Sequence, residues 1–217
     1  MQLIRLIRSP RILMFNDKTK NILKELEIQQ KEFINIADVI FKDAIYSNCN
    51  FKGINFAESR FVDVRFDDCI FDKCDLNNTK FSNCYIKTVK FSECKLIGID
   101  WSGFNYSAFF SEINFNECLL SYGCFISLKI KKIIMKNCIC KEADFEGADL
   151  QKGDFFGTDF LGSRFVNTNL QEASFINAKN YTIDPSVNKI KKAVFSLPEV
   201  YNLLNCLDII VKPRTEN

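Results

Sequence analysis

The sequence predicts an all-β chain wound into a right-handed, four-sided (quadrilateral) β-helix, a solenoid closed by small helical caps. Three observations carry that reading. Large, mostly apolar residues recur at every fifth position between Phe41 and Phe175, with one break in the count. The residue two places before each is usually small or thin, as in Ala44, Cys49, Ser59, Cys69 and Thr79. The composition is lopsided, with 22 Phe against one Trp and six Tyr, and most of those Phe fall on the five-residue positions.

A period of five matches neither a helix at 3.6 nor a flat strand at 2. It matches a coil with four short sides, one side per repeat, in which the central residue and the small residue two before it point inward. Residues one turn apart, twenty positions on, then stack at the usual strand spacing of about 4.8 Å. The core stack is expected to include Phe41, Phe61, Phe81 and Trp101 on one side and Phe51, Phe71 and Phe91 on another, with Phe125, Phe145 and Phe165 in the second half. The count slips once, between Tyr106 and Phe110, and the simplest reading is a one-residue deletion at a corner. It lays Leu120 over Trp101, Phe110 over Phe91 and Phe115 over Leu96, and it keeps all four columns filled. The coil is expected over residues 36–180, about seven turns, with stability adding along its length as in other solenoids.

The open ends of such a coil need covering. Residues 1–35 are expected to form an arm and a capping helix, the helix running from Asn16 or Asp17 to about Gln30. Residues 181–217 are expected to form a cap and dimerisation segment. There Ser196 and Glu199 have capping-box spacing, Phe195 and Val200 could staple the entry, and Val200, Leu203, Leu204 and Leu207 share one helical face. Ile209 and Val211 follow as a β-rich end. The apolar stripe reads both as a seal on the last turn and as a two-fold contact.

Composition bounds the chemistry. The chain has no His, which removes the usual partner of Ser and Cys nucleophiles and a common metal ligand. With no phosphate loop, metal-ligand set or triad in the sequence, the chain reads as a binding protein and not an enzyme, with no cofactor. Of ten Cys, seven occupy the small inward position: Cys49, Cys69, Cys74, Cys84, Cys94, Cys118 and Cys138. Stacked side chains keep their Cβ atoms near the strand spacing, whereas a disulfide wants about 3.8 Å. They read as free buried thiols, which fits a reducing cytoplasm. No apolar window is long enough for a transmembrane helix, and no membrane contact is expected.

The run Ala143-Asp144-Phe145-Glu146-Gly147-Ala148-Asp149-Leu150 resembles the pentapeptide-repeat proteins, and the likeness covers about residues 36 to 180. The tail, with Asp184-Pro185, Asn188, a basic stretch, a Leu-rich segment and Ile209-Ile210-Val211, resembles the quinolone-resistance (Qnr) branch. That resemblance implies a homodimer joined through the C-terminal segment, and binding to DNA gyrase or topoisomerase IV by a rod that imitates DNA, with no direct nucleic-acid contact. It also implies protection against quinolones or gyrase toxins. The alternative is a scaffold or adaptor for an unrelated protein.

Candidate contact residues follow from charge and from the break. Residues 36–180 hold 17 Lys or Arg and 19 Asp or Glu, a net of −2, so any acidic surface must be local. Asp144, Glu146, Asp149, Asp154 and Asp159 are the acidic candidates, although they fall on successive sides. Phe104 and Phe109, beside the break, are aromatic candidates, read either as an exposed patch or as repacking of a deformed corner. Lys129, Lys131, Lys132, Lys136 and Lys141 form a basic group, read either as an anion site or as a solvated face.

Overall fold

The computed structural model describes residues 21–24, 27–28, 34–105, 112–207, 209, 210 and 212. They form a four-sided coil of about eight turns, with no helix among the described residues long and apolar enough to cross a membrane. Neighbouring turns pair in parallel. Phe41 lies beside Phe61 and Phe61 beside Phe81, and isolated bridges carry the same twenty-residue step from Asn55 to Asp75 to Lys95 and from Ile139 to Asp159 to Lys179. Each turn supplies the hydrogen-bond partners of the last, so a sheet forms without an antiparallel hairpin.

The five-residue unit has a local cause. The residue two after each centre sits at positive φ in repeat after repeat, from Asp43 (54°) and Asn48 (54°) to Glu172 (58°) and Asn177 (56°). This left-handed residue turns the corner, and Asn, Asp and Gly reach it at the lowest steric cost. Gly157, at φ 68°, shows the packing reason as well: a Cβ there would lie 2.3 Å from Oδ1 of Asn137.

Inside, the ten residues named for the core stack are all buried, from Trp101 and Phe145 at 0% exposure to Phe81 at 7%. Rings in one column stack nearly parallel, as for Phe61–Phe81 (5.3 Å, 10°) and Phe145–Phe165 (4.9 Å, 3°). Rings on adjacent sides meet edge to face, as for Phe61–Phe66 (5.5 Å, 67°). Both are favourable arrangements for aromatic pairs.

The small inward residues do more than save space. Thr158 Oγ1 donates to the Met135 carbonyl (2.7 Å) and accepts from the Cys138 N–H (3.2 Å). Thr168 donates to the Phe145 carbonyl (2.9 Å), and the thiols of Cys74, Cys84 and Cys94 donate to the carbonyls of Phe51, Phe61 and Phe71 (3.3 Å each). A short side chain with a donor therefore satisfies backbone groups that the ladder leaves facing inward, where an unpaired group is costly.

The structure corrects the reading of the break. Before it, Cys84 pairs with Phe104, twenty positions on. After it, Val89 pairs with Ile113 and Phe91 with Phe115, twenty-four positions on. The step across the break is thus four residues longer than a turn, not one shorter. Trp101 stacks on Phe125 (5.7 Å, 13°), not Leu120, and Phe91 stacks on Phe115 (5.3 Å, 13°). Every column beyond the break moves by one side. Tyr106, Phe109 and Phe110 lie outside the described residues.

Both ends differ from expectation. Within the expected N-terminal helix, Asn21–Lys24 and Glu27–Ile28 are strands, paired in parallel with Ala44–Ser47 and Asn50–Lys52 respectively. Backbone pairing covers the first regular turn, answering the open edge more directly than a helix would. At the other end the coil continues past 180. Tyr181 and Ile183 are buried, and Val194–Phe195 pairs with Ser174–Phe175. Asn188 takes the place of a small inward residue: its amide donates to the carbonyls of Phe165 and Asp184 and accepts from the Thr168 N–H, all at 2.9 Å. Phe195 stacks on Phe175 (5.1 Å) as one more column member rather than a staple. The terminal helix is a 3-10 segment, Glu199–Leu207, and Leu203 packs against the core.

Candidate functional site

The acidic candidates are corner pieces. Asp144, Asp149, Asp154 and Asp159 each precede a centre, and each accepts the N–H two residues on, at 2.9, 3.3, 3.2 and 3.2 Å. The same local bond recurs at Asn55, Asp75 and Asp100, so a carboxylate here builds the turn as an Asx motif.

Their charges are also answered by neighbouring turns. Asp149 meets Lys131 (3.7 Å), Asp154 meets Lys136 (2.9 Å) and Asp159 meets Lys141 (3.5 Å). Arg164 meets both Asp144 (3.1 Å) and Glu146. The basic stretch read along the sequence thus lies one turn below the acidic one, and the two largely cancel. Burial tends to raise the Asp159 carboxyl, but hydrogen bonds from Asn180 and the Leu161 N–H, with the Lys141 charge, hold it below the usual carboxylate range. Exposed pairs of this kind contribute about 0–1 kcal/mol each; their main effect is on the surface potential. No acidic wall runs along the rod through these five residues.

Phe104 leaves the list of exposed contacts. It is 5% exposed, 4.4 Å from the Phe81 ring and 5.8 Å from Trp101. A Phe in a position that elsewhere takes a small residue fills the widened turn before the four-residue step. Phe109 lies outside the described residues.

At the C-terminal end Val200, Leu203 and Leu204 are half-buried, while Leu207 and Ile209 are more than half exposed; Val211 lies outside the described residues. Sequence reasoning missed Leu197 and Tyr201 beside them, and named Ile210 only as part of the tail. Leu197 (72%) and Ile210 (87%) are the most exposed large apolar side chains among the described residues, and Tyr201 is exposed too. Leu197 sits two after a centre, a polar position in most repeats, and that departure from pattern was the available signal.

The cysteines are free; eight are buried, Cys124 is half-buried and Cys206 is exposed. Cys74, Cys94, Cys118 and Cys138 occupy one inward column, because the four-residue step brings Cys118 beneath Cys94. Hydrogen bonding to the next thiol raises Cys94 and Cys118 to about 12, and burial raises Cys84 to about 11. Thiols held neutral in this way are poor nucleophiles. Among the described residues no group of three or more His, Cys, Asp or Glu is placed to hold a metal.

Comparison with known proteins agrees with this architecture. A family model described as a pentapeptide repeat region matches residues 39–125, and one described as pentapeptide repeats (8 copies) matches residues 138–175. The gap between them, residues 126–137, falls on the lysine-rich turn, and the break lies within the first match. Among curated proteins nothing matches. Among solved structures, a trypsin-treated variant of QnrB1, a plasmid-mediated fluoroquinolone resistance protein, superposes with a TM-score of 0.57 at 20% identity, over 90% of this chain and 100% of that one. HetL, a pentapeptide-repeat protein involved in regulating heterocyst differentiation in the cyanobacterium Nostoc sp. strain PCC 7120, matches at 13% identity over 76% of this chain and 86% of that one, with a TM-score of 0.41.

Proposed function

Because this chain belongs to the pentapeptide-repeat proteins, we propose that it works without chemistry, as a rigid rod that docks on DNA gyrase or topoisomerase IV and lessens inhibition by quinolones or gyrase toxins. The supporting observation is the extent of the likeness to QnrB1, which spans nearly all of this chain and all of that one. The rod has the parallel ladder and stacked core to present a surface that does not deform on binding. Two copies join end to end through the exposed apolar residues Leu207, Ile209 and Ile210 and the neighbouring Tyr201, as isolated apolar patches on a terminal segment favour.

Charge shapes this reading. With its carboxylates tied into corners and paired with Lys and Arg, the rod docks through shape and mixed polar contacts, not as a uniform anion. That neutrality also favours the second reading, an adaptor for an unrelated protein. The two part in one assay: supercoiling by purified gyrase in the presence of a quinolone, with the protein added over a wide concentration range. Recovery of supercoiling supports topoisomerase docking. Unchanged inhibition throughout the range overturns it and leaves the adaptor.

A further inference from the structure

One side of the second half of the rod has an unusual surface. Its four rungs are set by the parallel bridges Lys129–Asp149, Asp149–Asn169 and Asn169–Lys189, with Lys132 N–H bonded to the Gln151 carbonyl, Lys152 N–H to Gln171 and Glu172 N–H to Lys191. Three side chains per rung point outward. The first rung presents Lys129, Lys131 and Lys132, and the last presents Lys189, Lys191 and Lys192; all six are exposed. Between them lie Asp149, Gln151 and Lys152, then Asn169, Gln171 and Glu172.

The two acids on this side are answered within it, Asp149 by Lys131 (3.7 Å) and Glu172 by Lys152 (3.6 Å). Lys129, Lys132, Lys189, Lys191 and Lys192 have no ion-pair partner among the described residues. The surplus falls in two clusters three rungs apart, about 14 Å at the strand spacing. No apolar or aromatic side chain faces outward among these twelve. The other sides carry Ile126, Ile139, Phe156, Leu161 and Ile176 at their outward positions.

We infer that this lysine face binds the phosphate backbone of a nucleic-acid duplex without reading its sequence. Protein partners favour an apolar or aromatic interface centre and are poor in Lys, and this face is the reverse. Nucleic-acid interfaces are polar and strongly positive. Lys supplies point charges rather than the planar fork of Arg, and the face has neither an Arg to read a guanine edge nor an aromatic ring to stack on a base. Two cationic rungs about 14 Å apart are spaced to engage phosphates on either side of a groove, which in B-DNA is about 12 Å wide on the major side. The flat ladder holds both rungs in place before contact. This departs from the expectation of no direct nucleic-acid contact, and it stands independently of topoisomerase docking.

The test is fluorescence anisotropy of a labelled 24-base-pair duplex of arbitrary sequence, titrated with the full-length protein at several salt concentrations. With five unpaired lysines on phosphates, binding weakens about 500-fold between 50 and 200 mM salt. The triple variant Lys129→Gln/Lys131→Gln/Lys132→Gln loses at least tenfold in affinity at 50 mM and shows a shallower salt slope. A second triple, Lys80→Gln/Lys90→Gln/Lys179→Gln, makes the same change in net charge on the other three sides and stays within threefold of the parent. Circular dichroism confirms that both triples are folded. Absence of binding at 50 mM salt overturns the assignment, as does equal loss in the two triples. Stronger competition by polyglutamate than by unlabelled duplex, at equal charge, also overturns it and points to an acidic protein instead.

Discussion

The four-residue step at the break is open to a direct energetic test. Phe91 is 3% exposed and Phe115 fully buried. Their rings are 5.3 Å apart at 13° although they stand twenty-four positions apart in the chain. Phe91 also stacks on Phe71 (4.9 Å) and meets Trp101 edge-on (5.9 Å), and Phe115 meets Trp101 at 5.0 Å. Aromatic pairs contribute about 0.5–1.5 kcal/mol each beyond area burial. Counting contacts among the described residues, Phe91→Leu, losing three, is expected to cost about 1.5–4.5 kcal/mol, and Phe115→Leu, losing two, about 1–3 kcal/mol. The double variant costs less than the two together by the one contact they share, about 0.5–1.5 kcal/mol. As a control, Phe91→Leu with Phe165→Leu, which share no ring partner, is additive within about 0.5 kcal/mol. Urea unfolding followed by far-ultraviolet circular dichroism measures all four quantities, and the single Trp101, buried beside both rings, reports the same transition by fluorescence. Additivity of the Phe91 and Phe115 changes within about 0.3 kcal/mol, against the coupling expected of residues in contact, would refute the twenty-four-residue step.

Two further outcomes follow from the buried thiols. In native protein a thiol-specific reagent reacts quickly at Cys206, slowly at Cys124, and with the eight buried cysteines only after denaturation; fast labelling of three or more would contradict the packing. The same groups set a dependence on alkaline pH. Cys84, Cys94 and Cys118 rise from 9.0 to about 11, 12 and 12 on folding, so the fold favours the neutral thiol. Their contribution is fully present below pH 9 and is lost as pH rises through those values. The melting temperature is therefore expected to hold steady from pH 7 to 8.5 and to fall above pH 9, with a shallower fall in Cys94→Ala; an equal fall in that variant would remove the thiols as the cause.

Much of this molecule is legible in its sequence because the repeat is short and its chemistry severe. Phe at every fifth position, with Cys, Thr, Ser or Ala two before it, has few other ways to be buried, and Phe61 over Phe81 follows by counting. The error at the break has an equally simple origin. A period of five locates each residue only to within a multiple of five, and one residue fewer is indistinguishable from four residues more. Because all four columns carry large side chains, burial could not choose between Leu120 and Phe125 as the neighbour of Trp101. The backbone pairing of Phe91 with Phe115 and the stack of Trp101 on Phe125 decide it.

The candidate surfaces were harder to read, since their meaning depends on turns distant in sequence. Asp149, Asp154 and Asp159 look like an acidic stretch until Lys131, Lys136 and Lys141 are laid one turn below them. The lysine face needs Lys129 and Lys189 brought to one side through two intervening rungs. Both were available to counting in twenties. The tail was not: Tyr181 and Asn188 continue the coil with residues that break its usual alphabet, so the last turn resembles a linker in sequence.

Where only two side chains in five look inward, the remaining three are nearly silent in folding. The corner asks for a tolerant residue and the core for a ring or a branched chain; the rest of the text is free. Such a rod behaves like a typeface with a fixed baseline, on which surface characters can be reset one by one without recasting the metal. Chains that share only a fifth of their letters can then keep one shape while addressing different partners.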